Sequence, residues 1–228
     1  MAVALAASYS VNSATQAINQ TITTASFTPT TGDLVVLKVI TEDASVPAGA
    51  PSATGGGITW VKRAENLVGN TVYAALWTGT VTSGGSAMTV SVTTSGGLNG
   101  YVSMVLERWT GAQFASPASV VYINGTTGTA TGAITITGTG SVLSWLDGDW
   151  NASTGTVTYS GGATQDGIHA VASTYAAYYA YQTVSAGSQT FGLTSPTSQT
   201  YTLMAVEIQV SGQANPNSGS MMTMGVGI

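Results

Sequence analysis

The sequence predicts an all-β protein: a jelly-roll-like β-sandwich built from two internally repeated halves. Three observations point there. Apolar or alternating runs of 5–9 residues are separated throughout by Gly, Ser and Thr turns. No segment holds a 3.6-residue apolar period. The strand signals also occur twice in the same order. Tyr73–Gly85 (YAALWTGTVTSGG) is answered by Tyr175–Gly187 (YAAYYAYQTVSAG), and YVSMVLE at Tyr101 is answered 100 residues on by YTLMAVE at Tyr201. That match aligns Met104 with Met204 and Glu107 with Glu207. Upstream, GDLVVL at Gly32 is answered by GSVLSW at Gly140, and Ile58-Thr59-Trp60 by Val157-Thr158-Tyr159. The offsets stay between 99 and 108, which sets the halves at about 22–112 and 130–212 of a sandwich spanning 1–212. Residues 213–228 form a C-terminal arm. Two arrangements fit: the halves interleave into one large sandwich, or each closes as a small tandem sandwich. The bridge between them carries strand signals and no linker composition, which favours interleaving.

Each element has a local reason. Val3–Val11 alternates apolar and small polar residues, as does Gln20–Phe27. Thr28–Asp33 is a turn around Pro29 and Gly32. Leu34–Thr41 is almost wholly aliphatic or β-branched and reads as a strand buried on both faces. Glu42–Gly57, with Pro47, Pro51 and three consecutive glycines, reads as a long loop. Ile58–Glu65 and Thr71–Thr78 form a hairpin around Val68-Gly69-Asn70. Ser83-Gly84-Gly85 turns the chain into Met88–Thr93, where Met88, Val90 and Val92 share a face. Tyr101–Trp109 is a second doubly buried strand. The bridge, Gly111–Gly132, contains a short strand at Val120–Ile123. The second half follows with strands at Ile134–Thr137, Ser141–Leu146, Val157–Tyr159, Ile168–Tyr175, Tyr178–Val184, Gln189–Leu193 and Tyr201–Val210, and with Asp147–Gly155 as its long loop.

Composition narrows function by exclusion. Charged residues make up 6% of the chain, and 4 Lys/Arg stand against 9 Asp/Glu. That balance lacks the basic footprint of a nucleic-acid partner and the attraction to an anionic membrane. No run of 18 apolar residues is present, so no membrane span is expected. The core comes from 43% apolar residues with 5 Trp and 10 Tyr, which leaves a surface of hydroxyls and amides. Cysteine is absent, which excludes disulfides, thiolate catalysis and Cys-based zinc sites. The first ten residues, MAVALAASYS, lack a positive n-region, so a cleaved export signal is not expected.

The groups able to carry chemistry are few. Asp147-Gly148-Asp149-Trp150-Asn151 opens like a calcium loop, but Ala152 stands where the loop glycine belongs and Thr158 where the bidentate Glu belongs. His169 is the sole histidine, with Asp166 three residues before it and no G-x-S-x-G nucleophile turn. Glu107 and Glu207 would serve as a glycosidase pair at a separation of about 5–10 Å; duplication accounts for them more simply, each bonding a backbone edge or a rare cation such as Arg108 or Arg63. No catalytic residue, metal or cofactor is therefore assigned. Trp77 and Trp150 with Tyr175, Tyr178, Tyr179 and Tyr181 suggest a sugar-stacking platform. Alternation puts Tyr179 and Tyr181 on one face and Tyr178 on the other, so Trp150, Tyr179 and Tyr181 are the expected glycan contacts. In the arm, Met221, Met222, Met224, Val226 and Ile228 form an apolar end after the polar stretch QANPNSGS. They are expected to dock on a neighbouring subunit.

The succession GDLVVL, ITWVKR, YAALWTGTVTSGG, TVSVT and VSMVLERWTGA resembles a β-sandwich pattern of tailed-bacteriophage virion proteins, of the minor tail or capsid decoration type. The resemblance covers most of Gly32–Ala112 and, more faintly, Gly140–Gly212. It implies a structural role in a virion, with copies of itself and other virion proteins as partners. It carries over no active-site residue. A carbohydrate-binding module or adhesin that holds a host-surface glycan is the alternative expectation.

Overall fold

The chain builds one kind of sandwich twice. The structure, a computed structural model, describes residues 2–42, 46–47, 49–54, 57–68, 72–96, 99–116, 119–150, 156–171 and 174–213. In the first half, β1 (Ala4–Asn12), β9 (Val102–Thr110), β3 (Leu34–Glu42), β7 (Val72–Val81) and β6 (Ile58–Val68) pair in that order as a five-stranded sheet. A smaller sheet faces it. There β8 (Thr89–Ser95) pairs on one side with β2 (Thr21–Thr23) and on the other with β4 (Val46–Pro47) and β5 (Ser52–Thr54). The second half repeats the plan. β18 (Tyr201–Val210), β13 (Ser141–Asp149), β16 (Tyr175–Val184) and β15 (Thr164–Val171) follow in order, and β10 (Ala112–Phe114) and β11 (Val120–Gly125) share the free edge of β18. Its small sheet is β12 (Thr131–Ile136), β17 (Gly187–Ser195) and β14 (Thr158–Tyr159). All pairing is antiparallel, and the chain passes back and forth between the two sheets of each half in a jelly-roll-like order.

The fold class is thus the expected all-β sandwich. The ladders decide between the two arrangements. Among the described residues none joins the halves, so they do not interleave; each closes on itself. The reason lies in the faces of the large sheets. On β3, Val35, Leu37 and Val39 point into the core of their own sandwich, while Leu34, Val36 and Ile40 point the other way. There they meet Val142, Leu146, Tyr175, Tyr179, Met204 and Val206 of the second half in a central core. The molecule is four sheets deep: small, large, large, small. A sheet covered on both faces buries every residue, so β3 and β13 are buried along their whole length and any polar side chain in them requires an internal partner. Each large side chain so buried contributes about 1.5–3 kcal/mol.

The halves are related by an approximate twofold. β1 lies against β15, with Asn12 Nδ2 donating to the Ile168 carbonyl at 3.1 Å. Reciprocally, β6 lies against β11, where Asn66 Nδ2 donates to Asn124 Oδ1 at 2.7 Å. Two glycines permit the close approach. A Cβ on Gly148 would come within 2.8 Å of Val72 Cγ1, and one on Gly167 within 2.7 Å of Val105 Cγ2.

The two halves share a strand plan, but most of the matched sequence blocks are out of register with it. Leu37 is laddered to Leu106 and Trp77, whereas Trp145, 108 positions on, is laddered to Ala205 and Ala180. Those partners lie 99 and 103 positions beyond, not 100 and 102. The halves also share a β-bulge at one place: Arg63 in β6 and Asp166 in β15, again 103 apart. An offset of 100 reverses the faces. Met104 lies in the core of the first half and Met204 in the central core, so the expected superposition of Tyr101 on Tyr201 and Glu107 on Glu207 slips by one residue. Ile58–Trp60 opens β6 in a large sheet, whereas Thr158–Tyr159 is β14 in a small one, so that match is not an equivalence. Boundaries also change. Glu42 ends a strand, β4 and β5 form inside the expected Glu42–Gly57 loop, β6 runs on to Val68, Asp147–Asp149 continue β13, β15 begins at Thr164, and Tyr175 begins β16.

Candidate functional site

The central core contains a charged cluster. Even-numbered residues of β3 face the second half, and this row contains Lys38 between Val36 and Ile40. Lys38 Nζ lies 2.6 Å from Glu107 Oε1 of neighbouring β9 and 3.0 Å from Asp166 Oδ2 of the other half. The side chains of Lys38, Glu107 and Asp166 are 0%, 0% and 2% exposed. Trp109 Nε1 donates to Glu107 Oε2 at 2.9 Å, the Ser8 hydroxyl hydrogen-bonds Asp166, and the Tyr179 ring lies 5.9 Å from the ammonium. Asp166 reaches in because it is the bulged residue of β15; a bulge re-aims a side chain that the regular pleat would turn elsewhere. Burial pushes the Glu107 carboxyl up to about 7, with Lys38 pulling the other way. Burial opposes the charge of Asp166 too, yet the Lys38 ammonium holds that carboxyl below the usual range. Burial lowers Lys38, and the two carboxylates more than restore it.

Sequence reasoning passed over Lys38. Its signal was a single charge in the aliphatic run LVVLKVIT, since a charge in a doubly buried strand requires a partner. The residues that reasoning did single out are placed as follows. Glu107 bonds Lys38 and not Arg108 or Arg63. Glu207 faces the inside of the second sandwich and ties down the turn between β12 and β13. It accepts from Gly138 N and Ser141 Oγ, each at 2.8 Å, and from Thr137 N at 3.2 Å. Burial would raise its carboxyl, but these donors keep it low. The two glutamates therefore sit on opposite sides of the sheets and form no pair. His169 shares a 2.6 Å hydrogen bond with the Tyr175 hydroxyl, and its former companion Asp166 belongs to Lys38. Burial lowers the His169 imidazole.

The aromatic platform does not assemble. Tyr179 is fully buried in the central core, which removes it from any glycan. Tyr181 sits edge-on to Trp109 with ring centroids 5.5 Å apart, and Trp150 packs on the same central core. Tyr178 faces the inside of the second sandwich, as alternation requires. Asp147 and Asp149 are buried inside that sandwich as strand residues, not as a calcium loop. Gln199 Nε2 reaches Asp147 Oδ2 at 3.4 Å, and Asp147 Oδ1 has no partner among the described residues. Burial and the neighbouring Asp149 raise the Asp147 carboxyl well above its ordinary value. Residues 151–155 and the apolar arm, with Met221, Met222, Met224, Val226 and Ile228, lie outside the described residues.

Among the described residues a groove of about 350 Å³ lies on the first half, beside Gly49 and Ala50. It is lined by Trp60, Tyr73 and Trp77, with Lys62 and Glu65 at its side. The Tyr73 hydroxyl donates to Glu65 Oε2 at 2.7 Å, and Lys62 Nζ lies 2.6 Å from that same oxygen. Trp60 Nε1 has no hydrogen-bond partner among the described residues. Tyr73 and Trp77 are buried in the core of the first sandwich, 5% and 3% exposed, so among these rings only the half-buried Trp60 is open to a ligand. No protein-family model, curated protein or solved structure matches this chain.

Proposed function

We infer that the protein is a virion structural component of a tailed bacteriophage, a capsid decoration or minor tail protein that acts by assembly and not by catalysis. The observation that carries this reading is the double sandwich with its reactive groups turned inward. Lys38, Glu107, Glu207, Asp147 and Tyr179 are all committed to internal contacts. The outer face of the first half is instead laced by hydroxyl pairs across strands: Thr21 with Thr93 and Thr23 with Ser91 at 2.8 Å, and Thr54 with Thr89 at 2.6 Å. Uncharged rungs of this kind keep a surface hydrated without making it depend on salt. The pattern of turns and strands that resembles phage virion β-sandwiches supports the same reading.

The test is whether particles carry the chain. Antibodies against the purified protein should label phage particles from the source culture at many sites per particle, and the band should be abundant in their mass spectra. Ending the chain after Gln213 should leave the fold intact and abolish incorporation, because the apolar arm is lost. Particles free of the protein would end this reading. The half-buried Trp60 beside Lys62 and Glu65 favours a second one, a glycan-binding adhesin. In that case a glycan array should show a ligand whose binding Trp60→Ala removes.

A further inference from the structure

We propose that Lys38 and Asp166 condense to an intramolecular isopeptide bond that joins the two sandwiches covalently, with Glu107 as the catalytic proton carrier. The proposal is independent of any virion role. It rests on the arrangement of the three side chains. An amine nitrogen lies 3.0 Å from a carboxylate oxygen of the residue it would acylate, and 2.6 Å from a second carboxylate that has no other cation. The partners come from β3 and from the bulge of β15, 128 residues apart, and both are held by packed sheets. Such fixed contact converts a bimolecular condensation into a unimolecular one.

The step balances without a co-reactant. Lys38 Nζ gives a proton to Glu107 Oε1, and Glu107 passes it to a carboxylate oxygen of Asp166. The freed lone pair on Nζ attacks Asp166 Cγ and forms the C–N bond. Glu107 then takes a second proton from the nitrogen and delivers it to the departing oxygen. The C–O bond breaks and one water leaves. An ammonium and a carboxylate have become a secondary amide and water, and Glu107 is regenerated. A carboxyl poised near neutrality, as burial makes Glu107, is suited to carry protons both ways.

The surroundings favour the product. In water, hydration of the two ions opposes amide formation. Here both are already stripped of solvent, so the ion pair bears a desolvation cost that a neutral amide escapes. The Ala180 carbonyl, 3.4 Å from Nζ, stands ready to accept from the amide N–H. Trp109 Nε1 continues to donate to Glu107.

Intact-mass spectrometry of the folded protein decides the question. The expected mass is that of the sequence less one water. Trypsin should leave residues 1–62 joined to residues 109–228 as a single branched species, because an acylated Lys38 is not cleaved. Asp166→Ala and Glu107→Gln should both restore the full mass while keeping the β-sheet circular dichroism of the parent. A folded wild-type protein with the full sequence mass would overturn the proposal. So would a missing water that maps away from Lys38 and Asp166, or a Glu107→Gln protein linked as completely as wild type. The wild-type mass remains decisive if the variants do not fold.

Discussion

The two halves share a strand order and a bulge, yet they treat their common interface differently. Lys38 on β3 has Leu146 as its counterpart on β13, and Glu107 on β9 has Val206 on β18. The bulged Asp166 has the bulged Arg63. One side of the approximate twofold is thus an ion cluster and the other an apolar contact. Arg63 does not enter the interface as an ion. It donates from Nε to Thr78 Oγ1 at 2.6 Å and lies 3.6 Å over the Phe114 ring. Both solutions close the same gap between sheets. The apolar side shows that packing alone suffices there, so the charged side calls for a reason beyond stability. An exact twofold would match two identical faces, and the unequal clusters give this interface a single orientation.

The largest effect should come from breaking the charged side with the residue of the other half. Lys38→Leu leaves Glu107 and Asp166 buried without their cation, and removal of one member of a buried cluster costs about 3–5 kcal/mol. The triple variant Lys38→Leu, Glu107→Val, Asp166→Ala removes every charge. It should be more stable than Lys38→Leu alone by a similar amount in urea denaturation. Neither protein can form the proposed cross-link, so the comparison isolates the electrostatics. Equal stabilities would mean that the carboxylates are not stranded and that the cluster is solvated.

How far this contrast was legible in the sequence follows from periodicity. The strands and their order were readable because apolar runs and turn residues recur locally. Register was not: the letter matches at 100 and 102 miss the true offsets of 99 and 103 by one residue, and a slip of one reverses the face. Tyr73 and Tyr175 both open a Tyr-Ala-Ala triplet, but one packs inside its sandwich and the other in the central core. The ion cluster was hidden for a related reason. Its members lie at 38, 107 and 166, and only the bulge brings Asp166 to Lys38. The sequence puts Asp147 in a loop as the counterpart of the long loop of the first half, whereas the structure buries it near the end of β13.

That acid offers the next test. The counterpart of Asp147 in the first half is Val39, fully buried and apolar. The raised carboxyl of Asp147 keeps its proton in the fold where the unfolded chain, near 3.8, has lost it. Its contribution to stability is therefore fully present below the unfolded value and is lost as pH rises through the folded one. Asp147→Asn should stabilise the protein at neutral pH, because the neutral amide escapes the cost of keeping the buried carboxyl protonated there. It should also flatten the decline in stability between acid and neutral pH. Thermal melts at several pH values give both readouts. A loss of stability at neutral pH would show the ionised carboxylate to be held by contacts stronger than Gln199.

The smallest effect is expected at Arg63, the bulged partner of Asp166. Its guanidinium is only partly buried, and its largest departure from ordinary arginine is a lowering caused by burial. Stacking on Phe114 at this exposure contributes about 0.5–1 kcal/mol. Arg63→Ala should cost about that much and leave the central core in place, because Ala64 and not Arg63 is the residue of β6 that packs there. Asp166→Ala, at the same bulge in the other half, strands the Lys38 ammonium in a dry site and should cost several times more. The ratio of the two losses measures how far the duplicated bulges have diverged. Similar losses would mean that bulge geometry matters more than the charge it carries. A small loss at Arg63 beside a large one at Asp166 would mean that the second copy turned its bulge into the bearer of the cluster, while the first kept only a stacked cation.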